Sequence, residues 1–181
     1  MEKTKLEELR YPIGKYEVPS TISEDQVLEW IRILEHYPSK LELLVKELST
    51  TQLETPYRTD GWTVRQVIHH VADSHHHSYI RFKWALTEEN PVIKPYLEKK
   101  WAELFDSRTA PIELSLKHLS AVHAKLVYLL KGLSSSDLKR GFVHPESQES
   151  TTIVENIGRY VWHGNHHYNH IKNLLKSEGW I

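Results

Sequence analysis

The sequence predicts an all-α chain: a four-helix bundle with a long crossover connection between its second and third helices. Three observations carry this. Four segments of about 20 residues or more place apolar side chains at helical spacing. Three of these segments open on a capping-box pair. Strand signals, short alternating runs bounded by turn residues, are almost absent.

The first helix is expected from about Glu24 to Leu48. Ser23 and Gln26 make its capping box, and Val27, Trp30, Ile31 and Leu34 recur on one face. Pro38 should kink or restart it, with Leu41, Leu44, Val45 and Leu48 continuing the stripe. The second follows the turn Thr59-Asp60-Gly61. Thr63 and Gln66 cap it, and Val64, Val67, Ile68, Val71, Tyr79, Phe82 and Leu86 form its apolar face. It should end near Glu89, because Pro91 follows. Residues 90–109 hold prolines, charges and Trp101 without a sustained period. That length suits a connection that crosses a bundle rather than a hairpin. The third helix starts at Pro111 and stops at Gly132, lined by Leu116, Leu119, Val122, Leu126 and Leu129. A loop containing His144–Glu146 precedes the fourth, which starts near Thr152 with Glu155 as its capping partner and ends near Gly179. No repeat or linker divides the sequence, so residues 1–181 read as one domain.

Composition narrows the function. A formal net charge of −1 offers no basic face for nucleic acid or an anionic membrane. No apolar run approaches the roughly 18 residues a membrane span needs. The charged start MEKTKLEELR lacks the apolar core of a signal peptide, so a cytoplasmic address is expected. Zero Cys rules out disulfides, thiolate metal sites and a Cys nucleophile. Only 7 glycines, with no GxGxxG or GxxxxGK[ST], argue against a phosphate-cradling loop. A compact, nearly neutral bundle points instead to a small-molecule substrate.

The unusual count is 13 His. Four of them fall in WHGNHHYNHI, residues 162–171. At about 100° per residue, Ile153, Ile157, Tyr160, Ile171 and Leu174 define the buried stripe of the fourth helix. His163 and His167 fall inside it, His170 at its edge, and His166 further out. A pair at i,i+4 sets two rings over one spot, which is how a helix offers two nitrogens to one metal. One helix seldom completes a site, so a third ligand should come from HHVADSHHH, residues 69–77, on the second helix. His70 lies nearer that helix's apolar line, on a side shared with Arg81. His69 is expected to face solvent, and His75, on the apolar side, is the competing ligand. His118 and His123, single histidines in the third helix, are expected to be hydrogen-bonded core residues. Asp73 is a candidate to hold an imidazole N–H, against a plain surface role; Arg81 is a candidate for an anionic substrate group.

At these residues the chain resembles the YfiT-like proteins of the DinB superfamily. The resemblance runs through YPIGKYEVP, GWTVRQVIHHVADSHHHSYIRFKWALTE, the HPE segment and YVWHGNHHYNHI, and so covers most of the chain. It implies a four-helix bundle with a long crossover, metal-dependent hydrolase activity and a homodimer. It also implies a metal held by His70, His163 and His167, the three that helical facing favours. Relatives of the fold include thiol-dependent transferases, bacillithiol S-transferases among them, so the resemblance admits a low-molecular-weight thiol as a second substrate.

Three neutral imidazoles leave a divalent ion with its charge uncancelled and with open positions, the pattern of catalytic rather than structural sites. Imidazole suits Zn2+ and Ni2+ alike, and one such ion per chain is expected. Water activated there would make a hydrolase; a thiol would make an S-transferase. A fourth ligand, His75 or His170, would close the centre and leave a non-catalytic metal-binding bundle. No Glu sits within the HxxxH pair, so the HExxH protease arrangement is absent and no general acid or base is named.

Overall fold

Each of the four expected helices forms, three of them at their expected capping residues and the third helix directly after Pro111. The structure, a computed structural model, describes residues 2–146 and 148–181, with side chains from Lys5 onward. A short α1 (Glu2–Arg10) precedes the first long helix, α2 (Glu24–Val45). After α3 (Thr50–Leu53) comes α4 (Val64–Thr87), whose capping box joins Thr63 and Gln66 in both directions. The crossover holds α5 (Glu98–Trp101) and α6 (Phe105–Thr109) and leads to α7 (Ile112–Lys131). Next come α8 (Ser135–Leu138) and an antiparallel pair, β1 (Gly141–Val143) and β2 (Ser150–Thr152). The last helix is α9 (Ile153–Ser177), with a complete Thr152–Glu155 capping box. At Ser23 only half of the expected box forms: its side chain accepts from the Gln26 N–H. No helix among the described residues is long and apolar enough to cross a membrane.

Pro38 neither ends nor restarts the first long helix; it sits buried inside a continuous α2. Its ring supplies no N–H, so the carbonyl of Leu34 one turn earlier has no helical donor.

α2 packs on α7 and α9, and α4 packs on the same two, which puts α2 and α4 at opposite corners. Two apolar clusters fill the interior. One joins Leu34, Phe82, Leu126 and Ile157; the other joins Leu41, Val67, Leu119 and Ile171. The residue order through these clusters fixes direction. α2 and α9 run from the first cluster to the second, and α4 and α7 run the other way. Adjacent α4 and α7 are therefore parallel, and the chain leaving α4 must travel back along the whole bundle before α7 can start. This is the physical reason for the crossover. Its start is tied down by main-chain bonds between Ile93 and Val143 and between Val143 and Pro91. Between the two clusters the helices turn polar side chains inward, and there the histidines collect.

Gly158 is set by packing. A Cβ there would meet Cη2 of Trp30 at 2.7 Å and the Tyr16 hydroxyl at 2.9 Å. Ala would gain about 1 kcal/mol of helix propensity but overpack a rigid indole, at roughly 1–3 kcal/mol. Gly158→Ala should therefore lower the urea midpoint with an unchanged slope; a raised midpoint would show that Trp30 yields freely.

Candidate metal centre

His70 from α4 and His163 and His167 from α9 converge. One ring nitrogen from each lies within 4.8 Å of the others, a spacing from which small side-chain adjustments can enclose one ion. The ring centroids are 4.6–5.4 Å apart: His163–His167 at 4.6 Å, His70–His167 at 4.8 Å and His70–His163 at 5.4 Å. Two adjacent helices thus deliver three nitrogens, and α9 delivers its two because i and i+4 share a face. His70 and His167 are buried and His163 partly so. Burial pushes His70 down to about 4 and holds His163 and His167 well below the usual imidazole range, so all three are neutral and carry a lone pair at pH 7. Trp62 leans on His70 at 4.6 Å and flanks His167 at 6.5 Å, walling the group with apolar surface.

The remaining histidines divide clearly. His75 is fully buried and does not join the three. Its Nε2 lies 3.2 Å from His163 Nδ1, and its Nδ1 lies 2.8 Å from His123 Nε2. His123 Nδ1 in turn lies 2.6 Å from the Leu34 carbonyl oxygen. His123 is therefore the expected hydrogen-bonded core residue. His118 is not: it is exposed and pairs with His76 at 3.0 Å. His77 stacks flat on Tyr96.

Two expected facings are corrected. His69 does not face solvent; it is buried, with Nδ1 2.6 Å from Ser115 Oγ and Nε2 3.2 Å from the Ala110 carbonyl. The end of the crossover and the first turn of α7 cover that side of α4. His166 does not point out to water either. Trp162 stacks on it at 4.6 Å and Tyr11 lies against it at 6.0 Å, because α1 and the residues after it cover that face of α9. His166, His167 and His170 consequently form a second group with nitrogens within 4.8 Å. Helical facing alone missed this group, because it treats a face as wet unless a long helix covers it.

Asp73 is half-buried, and burial together with Asp106 raises its carboxyl to about 6. Among the described residues it makes no hydrogen bond to an imidazole. Arg81 lines a cavity of about 310 Å³ with Phe142, His144, Asn156 and Arg159, and its Nε is buried without a partner. Its charge also helps hold His163 neutral. A larger cavity, about 1000 Å³, opens on the other side of the histidines. His166, His167 and His170 line it together with Arg10, Arg58 and Tyr57, which stacks on His170 at 4.1 Å.

Comparison with known proteins agrees with this architecture. The family model of the DinB superfamily matches residues 33–171. The YfiT protein of Bacillus subtilis (strain 168), provisionally named a metal-dependent hydrolase, is 50% identical over 172 residues, covering 95% of this chain and 97% of its own. A protein of Bacillus mycoides (strain KBAB4) with the same provisional name is 50% identical over 175 residues, covering 97% of this chain and 100% of its own. The solved YfiT structure, described as an unusual four-helix bundle, superposes with a TM-score of 0.94 at 49% identity, over 96% of this chain and 99% of that one.

The buried rings make metal-free stability depend on pH. Their folded pKa values lie below the unfolded value of about 6.5, with His70 and His123 at about 4 and His75, His163 and His167 lower than usual. Above pH 6.5 they are neutral in both states and have no effect. Below it the unfolded chain takes up protons that the folded chain refuses, and stability falls by on the order of 1 kcal/mol per pH unit for each ring. Calorimetry of metal-stripped protein should show the melting temperature dropping steadily from pH 6.5 to 4.5, with several protons taken up on unfolding. A flat profile over that range would contradict the burial of these rings.

Proposed function

The chain belongs to the DinB superfamily, and on that premise we propose that it is a metal-dependent hydrolase of a small molecule, with His70, His163 and His167 as the ligands of one divalent ion, zinc or nickel. The observation that carries this reading is the convergence of three neutral imidazoles from two helices, one of which, His167, lines a cavity of about 1000 Å³. Three imidazole nitrogens converging in a largely buried site are an arrangement that a shared cation suits. The donor set fits: nitrogen ligands, borderline in softness, with no thiolate in the chain.

When bound, the ion supplies Lewis acidity that makes an incoming water or thiol nucleophilic near neutral pH. The residues of the chain do the rest. The three imidazoles hold their positions because helices, not loops, carry them. Trp62 excludes water from the His70 side. The cavity wall is of mixed charge, with Arg10, Arg58 and Lys99 alternating with Asp60, Glu98 and Glu103, which suits a polar small molecule better than a polymer. Arg58 Nε is buried there without a protein partner, placed to donate to a substrate oxygen. A cavity of this size also has room for a second small molecule, which favours thiol transfer as the alternative reading.

Untagged protein should contain about one zinc or nickel per chain by elemental analysis; absence of metal together with no uptake on addition would overturn the reading. His163→Ala or His167→Ala should weaken cobalt binding beyond the roughly 10–100-fold typical of losing an outer-shell partner, and His166→Ala should not. The reaction itself is tested by a screen of esters and amides with the metal-loaded protein. Cleavage without added thiol is expected; metal-dependent conjugation seen only with a small thiol would replace the hydrolase label by S-transferase.

A further inference from the structure

The line from His163 through His75 and His123 to Leu34 has a direction that chemistry forces. A neutral imidazole has one N–H and one lone pair. The rings touch in file at 2.8 and 3.2 Å, with His75 and His123 out of reach of water, so neighbouring imidazolium charges have no place there and each ring is neutral. The Leu34 carbonyl can only accept, and Pro38 leaves it no helical donor. His123 Nδ1, 2.6 Å away, must therefore carry its proton. His123 Nε2 is then an acceptor and takes the Nδ1–H of His75 at 2.8 Å. His75 Nε2 is then an acceptor as well and takes the Nδ1–H of His163 at 3.2 Å. His163 is left with a lone pair on Nε2; the Ser74 hydroxyl, 3.3 Å away, can only donate to it, and a metal would displace that weak contact.

We propose that the unpaired main-chain carbonyl of Leu34, acting through His123 and His75, fixes the tautomer of His163 and so reserves its Nε2 for the metal. The proposal rests on the three-histidine reading given above. His75 and His123 are positioning residues in this scheme and touch neither metal nor substrate. Reversing the line would set a bare His123 Nδ1 against a carbonyl oxygen at 2.6 Å, two lone pairs facing each other with no water between them. Tyr37 keeps the rings in file, stacked on His75 at 5.5 Å and on His123 at 5.7 Å. It fits there because residue 164 is Gly: a Cβ would press on the Tyr37 ring at 3.0 Å.

The second α9 ligand follows the same rule with a different terminus. His170 Nε2 lies 3.1 Å from the Arg10 carbonyl and must donate to it, so its Nδ1 faces His167 Nδ1, 3.4 Å away, as an acceptor. His167 then donates from Nδ1 and keeps Nε2 free. This spends the lone pair of His170, so the group His166, His167 and His170 serves the first centre and is not a second one.

Long-range proton–nitrogen NMR of the metal-free full chain, labelled with 15N at histidine, reads the tautomers directly. His163, His75 and His123 should all be Nδ1–H. In His123→Phe the line loses its terminus, and His75 and His163 should populate the Nε2–H form, with cobalt affinity lower by about 10–100-fold. His123→Gln, whose amide can accept from His75 and donate to Leu34, should restore the wild-type tautomers and most of the affinity. A wild-type His163 with its proton on Nε2 overturns the proposal, as does a folded His123→Phe variant with unchanged tautomers. If the Phe variant does not fold, the wild-type and Gln spectra still decide. The NMR readout needs no metal, so failure of the ligand reading shows separately, as a His163→Ala variant that binds cobalt like the wild type.

Discussion

One buried polar line touches all four long helices: His163 on α9, His75 on α4, His123 on α7 and the Leu34 carbonyl on α2. It crosses the interior between two apolar clusters, one holding Trp30, Phe82 and Phe142 among its aliphatic residues and the other built mostly of Leu, Ile and Val. Apolar contacts carry no direction of their own; a chain of hydrogen bonds in a dry interior does, and adds it to the close packing. Each member left unpaired would cost roughly 1–3 kcal/mol. The relative height and rotation of the four helices, and with them the approach of His70 to the α9 pair, depend on that line being complete.

The architecture was legible because its signals are local. Caps at Thr63 and Thr152, a starting Pro111 and a stopping Gly132 mark the ends of helices without reference to the rest of the chain. The gathering of His70, His163 and His167 was legible because i,i+4 spacing and the apolar stripe fix facing. Where facing failed, the cause was tertiary cover. His69 and His166 lie off the apolar stripes, and both are buried by irregular or short segments that periodicity does not place: the crossover with the first turn of α7, and α1 with the residues after it. His75 was seen to face inward, but sequence has no means of telling a histidine of the convergent three from one hydrogen-bonded to them. That distinction needs the distance to His123.

Pro38 shows how one residue reads differently alone and in place. In isolation a proline in mid-helix signals a break. Here α2 runs through it, and the missing N–H matters for what it leaves behind, a carbonyl open to a side-chain donor from α7. The N-terminal segment has a comparable role on the other flank. The Arg10 carbonyl accepts a hydrogen bond from His170 Nε2, so α1 is joined to the histidine cluster by a main-chain contact and not only by packing.

The parallel placement of α4 and α7 has a consequence for synthesis. His70 and His75 leave the ribosome long before α9 exists, and residues 90–109 must lie along the bundle before α7 can reach its place. The line from Leu34 can extend as far as His75 once α7 is made, which aligns α4 while its outer face still lacks a partner. His163 and His167 arrive in the last 25-residue helix, Ile153–Ser177, and close both the line and the cluster together. A nascent chain that lacks α9 therefore holds a single one of the three convergent imidazoles. On the proposed ligand set, a product truncated before α9 would keep one ligand of three and hold the ion far more weakly.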